Sequence, residues 1–205
     1  MITISESAPS EVKGERMRKK FLIILLLFLP ICLFGCSADE EGGLAKDLIR
    51  RLSNDTEKYL KDLESENIMV RKKAINYLGE KRTKAAVPLI IEILNTGQPK
   101  TIRLSSIAAL GNIGESSSVE ALIGLLEERD DEIRNAAIRV LGSIKDPRAV
   151  RPLLDILYDK DVQLTVIWAL GNIGSKSAIP VLTRLLSDED KFVRYNTAQS
   201  LKKIR

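Results

Sequence analysis

From position 66 onward, apolar residues recur with two nested periods, a short one of a helix turn and a long one of about thirty residues. Taking the leucine of Leu78-Gly79 as reference, equivalent leucines stand at Leu110, Leu141, Leu170 and Leu201, separated by 32, 31, 29 and 31 residues. Eight positions before each stands a β-branched residue (Val70, Ile102, Ile133, Val162, Val193), and three positions before stand Ile75, Ile107, Ile138, Ile167 and Ala198. Offsets of eight, four and zero share one helical face and three lies beside it, so the pattern predicts an amphipathic first helix of about three turns. Glycine follows the reference leucine in the first four units, and its tolerance of left-handed backbone is expected to end that helix. A second apolar pattern comes after a turn: Pro88 to Ile93, Ala121 to Leu126, Pro152 to Leu157 and Pro180 to Leu185. Proline near a helix start removes no intrahelical bond. Each unit is therefore expected to be a helical hairpin. A single hairpin buries too few side chains to offset the cost of ordering its backbone, so neighbouring hairpins must stack.

Ahead of the repeats the patterning weakens. Leu44, Leu48 and Leu52, then Tyr59, Leu60 and Leu63, suggest two further helices over 44–65, read as a degenerate cap on the stack. Residues 36–43, acidic and with paired glycines, read as a short flexible tether. From Phe21 to Phe34 the chain is almost wholly apolar and follows the basic Arg18-Lys19-Lys20. This stretch is shorter than the roughly 20 residues that span a bilayer and contains Pro30, which fits the core of an export signal over 17–35. Residues 1–16 are polar and mixed in charge and belong to no such signal; synthesis from Met17 would make them a spurious extension, with Met1 the alternative start.

The run Leu33-Phe34-Gly35-Cys36 resembles the lipobox of bacterial lipoproteins. The resemblance implies a diacylglyceryl group on the thiol of Cys36, cleavage between Gly35 and Cys36, and export to a membrane facing the periplasm or the cell surface. Each acyl chain contributes about 0.8 kcal/mol per buried methylene, so two or three chains on one residue would hold the protein at a bilayer. An ordinary secretory signal or an uncleaved anchor with an incidental cysteine is the alternative.

The repeat itself resembles the short HEAT-like units first described in phycobilisome lyases, with a Val-Arg followed by Ala-x-x-Leu-Gly. The resemblance covers 66–205 and recurs four and a half times. It implies an all-α solenoid of stacked hairpins, a HEAT-like superhelix whose second helices line one surface. Tetratricopeptide units would want an early Trp in each repeat, and this chain has one Trp in all.

Charge and composition narrow the function. Beyond the signal, 27 basic and 25 acidic side chains remain, too near balance to suggest a nucleic-acid partner. Cys32 and Cys36 both lie at the signal, so the repeats can form no internal disulfide. Histidine is absent, which removes the commonest general base and metal ligand together. No glycine-rich phosphate loop and no metal-ligand spacing is found, so neither metal nor other cofactor is expected.

Seven positions before the reference leucines stand Arg71, Arg103, Arg134, Gln163 and Arg194, and four positions before these stand Asn67, Pro99, Asp130, Asp159 and Asp190. A capping side chain and a basic residue one turn later suit a structural ladder between repeats better than a phosphate site. In similar repeats such a ladder ties neighbouring first helices together. Trp168 falls in a row with Asn76, Ala108, Arg139 and Gln199, and either packs partly on the next hairpin or serves as a binding hot spot. On the second helices, Glu92, Glu128, Arg151, Asp155 and Arg184 are the candidate exposed positions. Their mixed charge favours a protein or peptide partner over a polyanion. The sequence reads as a non-catalytic, lipid-anchored interaction scaffold at a bacterial envelope. The alternatives are a relative of the chromophore lyases and a purely structural envelope lipoprotein.

Overall fold

The structure, a computed structural model, describes residues 53–204. Gly35, Cys36 and the proposed segments 1–16, 17–35 and 36–43 lie outside the described residues, as does 44–52 of the proposed cap. Helix α1 (53–62) buries Leu60, stacks Tyr59 on Tyr77 with ring centroids 3.9 Å apart, and is followed by buried Leu63. Repeats follow as α2 (Ile68–Glu80) with α3 (Val87–Asn95), α4 (Lys100–Ile113) with α5 (Val119–Ile123), α6 (Asp131–Ile144) with α7 (Val150–Asp155), α8 (Gln163–Ile173) with α9 (Ile179–Arg184), and a last first helix, α10 (Lys191–Ile204). Among the described residues there is no strand. First helices pack on first helices in one layer, and the shorter second helices form the other.

One continuous core runs through the described residues. Ile75, Ile107, Ile138 and Ile167 are fully buried, as are Leu78, Leu110 and Leu141. Ile102, Ile133, Val162 and Val193 are at most 2% exposed, whereas the equivalent Val70 is 37% exposed and neighbours exposed Ile68 and Met69. The second helices explain the contrast: α3 packs against α4 and so shelters Ile102, and before α2 the described residues offer only α1. Side-chain caps begin three of the first helices, where Asn67 accepts from the amides of Met69 and Val70, Asp130 from those of Glu132 and Ile133, and Asp190 from that of Phe192.

The glycines after the reference leucines do not end their helices. Each first helix runs on for two or three residues past the leucine. The left-handed residues come later, at Arg82 (φ 51°), Gly114 (φ 73°), Lys145 (φ 61°) and Gly174 (φ 76°). What Gly79, Gly111, Gly142 and Gly171 provide is contact. A Cβ on Gly79 would stand 2.8 Å from the Cα of Ala109, and one on Gly171 would stand 2.6 Å from the Cβ of Ser200. Each glycine therefore lets the following first helix press against bare backbone, and Ser200 uses the approach to donate to the carbonyl of Ile167 at 2.8 Å. At the equivalent place on α10 stands Lys202, exposed, and the isoleucine row ends in Ala198. The face that four helices use for stacking carries an exposed lysine on the fifth.

The second helices are shorter than the first. Helix α5 tightens into a 3-10 turn over Gly124–Glu127, and α9 does so over Leu185–Ser187. Tightening brings each remaining carbonyl to a donor three residues on, which suits a helix that must stop within two turns.

Candidate functional site

The arginine column forms inter-repeat rungs, with partners other than the capping residues. Arg71 donates from Nη1 to Gln98 Oε1 at 2.5 Å and from Nε and Nη2 to the carbonyl of Ser65 at 3.0 and 2.6 Å. Arg103 donates from Nη2 to Glu128. Arg134 donates to Asp159 at 2.5 Å and to Asp131 in its own first turn at 2.6 Å. In all three the acceptor lies in the loop before the next first helix, so each guanidinium clasps one repeat to its successor. Its planar fork and permanent charge suit it to that task.

Of the expected acids, then, Asp159 alone accepts a rung. Asp130 is an N-cap that also ties repeats, through Lys100 Nζ at 2.8 Å. Asp190 accepts from the Phe192 amide at 2.7 Å and stays within its own repeat. Arg194 donates to the carbonyls of Asp188 and Glu189 in the preceding loop. Gln163 makes no rung. The sequence spacing located the basic partners but not the acidic ones, because the loop residues that accept are fixed by stacking and not by helix periodicity. The Asp159 carboxyl is held below the ordinary Asp range, chiefly by the Arg134 guanidinium and then by the Asp161 amide. Hydrogen bonding to Lys100 likewise lowers Asp130.

A second set of inter-repeat contacts lies at the short turns between helices, where no helical spacing signalled it. Lys84 reaches Glu115 at 2.7 Å, and Arg148 reaches Glu120 at 3.3 Å and the carbonyl of Ser116 at 2.7 Å. Asp146, which caps the turn at Pro147–Ala149, holds Arg148 through its carboxylate.

The proposed binding positions divide between the two layers. Trp168 is half-buried on α8, its ring edge 2.9 Å from where a Cβ on Gly142 would sit, so it packs over that glycine and shares no surface with the second-helix residues. Glu128 belongs to the Arg103 rung and is not a free surface charge. The remaining four align: Glu92 on α3, Asp155 on α7 and Arg184 on α9 occupy equivalent exposed places, and Arg151 lies one turn before Asp155 and pairs with it at 3.0 Å. The α5 member of that row is Gly124. Beside the charged row, Ile91, Ile123 and Leu154 form a half-buried apolar line.

Where the row is interrupted by Gly124 there is a cavity of about 550 Å³, bounded by the 94–98 loop, Arg103, Ala121, Leu125 and Glu128. It was not foreseen. Its sequence signal is the pair Gly97 and Gly124, at neither of which an added Cβ would meet any atom within 4 Å. Among the described residues, no group of three or more acidic, Cys or His side chains could hold a metal ion, and no helix is long and apolar enough to cross a membrane.

Comparison with known proteins agrees with this architecture. A family model described as HEAT repeats matches residues 55–128, 91–162 and 152–205. No match is found among curated proteins. Among solved structures, the complex of CpcE and CpcF of phycocyanin lyase from Nostoc sp. PCC7120 is 27% identical with a TM-score of 0.62, over 73% of this chain and 64% of that one. The chain thus spans just under two thirds of the lyase chain it resembles. An engineered protein is 26% identical with a TM-score of 0.57, over 73% of this chain and 79% of that one. A designed armadillo repeat protein in complex with the peptide (KR)4 shares the fold at 19% identity and a TM-score of 0.60, covering 78% and 85% of the two chains. With the family model spanning most of its length and the repeats stacked in two layers, this chain belongs to the HEAT-repeat proteins.

Proposed function

We propose that the chain is an interaction scaffold that offers the outer row of its second helices to a protein partner, and that it works from a bacterial envelope membrane, held there by lipid on Cys36. One observation carries the first half. Most of the stack's structural contacts are made in the first-helix layer and the loops, yet Arg184 in the outer row and Glu127 in the turn that extends α5 are exposed charges that make no ion pair. Exposed charge of mixed sign beside an apolar line is suited to a complementary protein surface and not to a polyanion. The lyase neighbour, which is itself a complex of two chains, supports a protein partner. The lipobox-like Leu33 to Cys36 supports the membrane half. Confinement to a surface raises the effective concentration toward membrane-bound partners.

The test is a pull-down from detergent-solubilised envelope with the full-length protein and with Cys36→Ala, together with mass spectrometry of the mature amino terminus. A specific protein captured by the former, with an acylated Cys36, is the expected result; no partner under any condition removes the scaffold, and an unmodified Cys36 removes the anchor.

A second reading rests on the likeness to the phycocyanin lyase complex. In it the chain would handle a chromophore. Co-expression with a bilin and its acceptor protein separates the two, since the scaffold gives no coloured adduct.

A further inference from the structure

The cavity at Gly124 sits in the proposed binding row, and its chemistry specifies what would enter it. We propose that this cavity is a socket for a carboxamide group, an Asn or Gln side chain of a peptide segment in the protein partner, held between Arg103 and Glu128. The proposal rests on the scaffold reading and deepens it.

Three observations lead there. First, the cavity is open by sequence. The other second helices place Glu92, Asp155 and Arg184 where α5 has Gly124, and the opposite wall contains Gly97, in a loop belonging to the longest of the repeat units.

Second, Arg103 is the member of its column that both lines the cavity and has guanidinium nitrogens to spare; Arg134 Nε also has no partner but is shut away from solvent, and Arg194, which donates from Nη1 alone, is exposed. Arg71 donates from all three of its guanidinium nitrogens, and Arg134 from both of its terminal ones. Arg103 donates only from Nη2, which leaves Nε and Nη1 without acceptors on a side chain 20% exposed and lining the cavity. One oxygen of Glu128 takes that bond and the other has no donor. Unfilled donors and an unfilled acceptor therefore stand together at the cavity wall.

Third, the charges select among ligands. A carboxylate would have to share the guanidinium with Glu128 and approach Glu120 as well, and a cation would meet Arg103. A neutral group that both accepts and donates meets neither objection. The preceding rung already shows half of the arrangement, with the carboxamide oxygen of Gln98 on Arg71 Nη1 at 2.5 Å. In the socket a carboxamide oxygen would accept from Arg103 while its NH2 donates to Glu128.

The experiment is selection of displayed random peptides on the full-length protein in detergent, followed by binding titrations of an enriched peptide. Enriched peptides are expected to share one Asn or Gln, and replacing it with Asp or Leu should weaken binding roughly tenfold or more, because half-buried Arg103 and Glu128 would be covered and left unmatched. Gly124→Leu places a side chain at the mouth, its Cβ meeting no atom within 4 Å, and should weaken binding comparably while leaving the melting temperature no lower. Arg103→Lys, which keeps the charge and loses the fork, should also weaken it. A shared Asp, Glu, Lys or Arg, or a peptide that binds Gly124→Leu as it binds the unsubstituted protein, overturns the socket and leaves the scaffold standing. No saturable peptide at all overturns both.

Discussion

Two glycine-to-alanine substitutions, one chemistry, should move stability in opposite directions. Gly79 and Gly124 both have helical backbone, so alanine at either one stabilises by roughly 0.5–1 kcal/mol through the lost freedom of the unfolded chain. At Gly124 that is the whole effect, since the new methyl meets nothing within 4 Å. At Gly79 the methyl would stand 2.8 Å from both Cα and Cβ of Ala109, and backbone cannot rotate away. Helices α2 and α4 would have to separate by several tenths of an ångström along their shared face. A gap of that order forfeits a quarter or more of each dispersion contact, and overpacking of this kind costs about 1–3 kcal/mol. The balance for Gly79→Ala is a loss of roughly 1–2 kcal/mol, against a gain below about 1 kcal/mol for Gly124→Ala. In a domain of this size each kcal/mol moves the melting temperature by about 2–4 °C. Thermal denaturation followed by circular dichroism reads both. If Gly79→Ala melted as high as Gly124→Ala, close helix contact would not be the reason for glycine after the reference leucine.

The rungs give further expectations. Arg134→Ala removes the guanidinium that Asp159 and Asp131 share, leaving Asp159 only the Asp161 amide, and should destabilise by about 1–3 kcal/mol in chemical denaturation, with Arg134→Lys recovering only part; an unchanged midpoint refutes a structural ladder. Asp188 has the same relation to Gln163 that Asp159 has to Arg134, its Oδ1 accepting from Asp190 while Oδ2 is unused, so Gln163→Arg should add the missing rung and raise the midpoint by roughly 0.5–1 kcal/mol. Because the folded carboxyls of Asp130 and Asp159 are lowered, the unfolded chain binds more protons near pH 4, and stability present above the ordinary Asp range is lost as pH falls through the folded values. Asp159→Asn should flatten that acid limb relative to the unsubstituted protein; an unchanged slope would mean that the pair does not form.

The fold was legible because its repeat is written in helical spacing. Rows at eight, four, three and zero residues before each leucine name the buried face of every first helix, and the structure buries them except at Val70 and Ala198, in the first and last of the described first helices. The glycine after the leucine was legible as a signal and misread as to cause. A helix stop and a helix contact both call for glycine, and only the position of the next helix tells them apart. The ladder was half legible: the arginines keep helical register, while Gln98, Glu128 and Asp159 sit in loops of unequal length whose register is set in three dimensions. Trp168 could not be placed from its row because what covers it is the bare backbone of Gly142 in the preceding repeat. The cavity at Gly124 is marked in the sequence only by Gly97 and Gly124, and a glycine does not say by itself whether the space it leaves is filled by a neighbour, as at Gly79, or open.

The central claim is that the second-helix layer is the working surface. Site-specific photocrosslinking in intact cells tests it most directly, with the reactive residue placed in turn at Glu127, Asp155 and Arg184 on the second-helix side and at Lys73 and Arg139 on exposed first-helix positions. The account predicts a discrete protein adduct from the second-helix positions and none from the first-helix ones. Adducts from the first-helix positions alone, or from none, would contradict it.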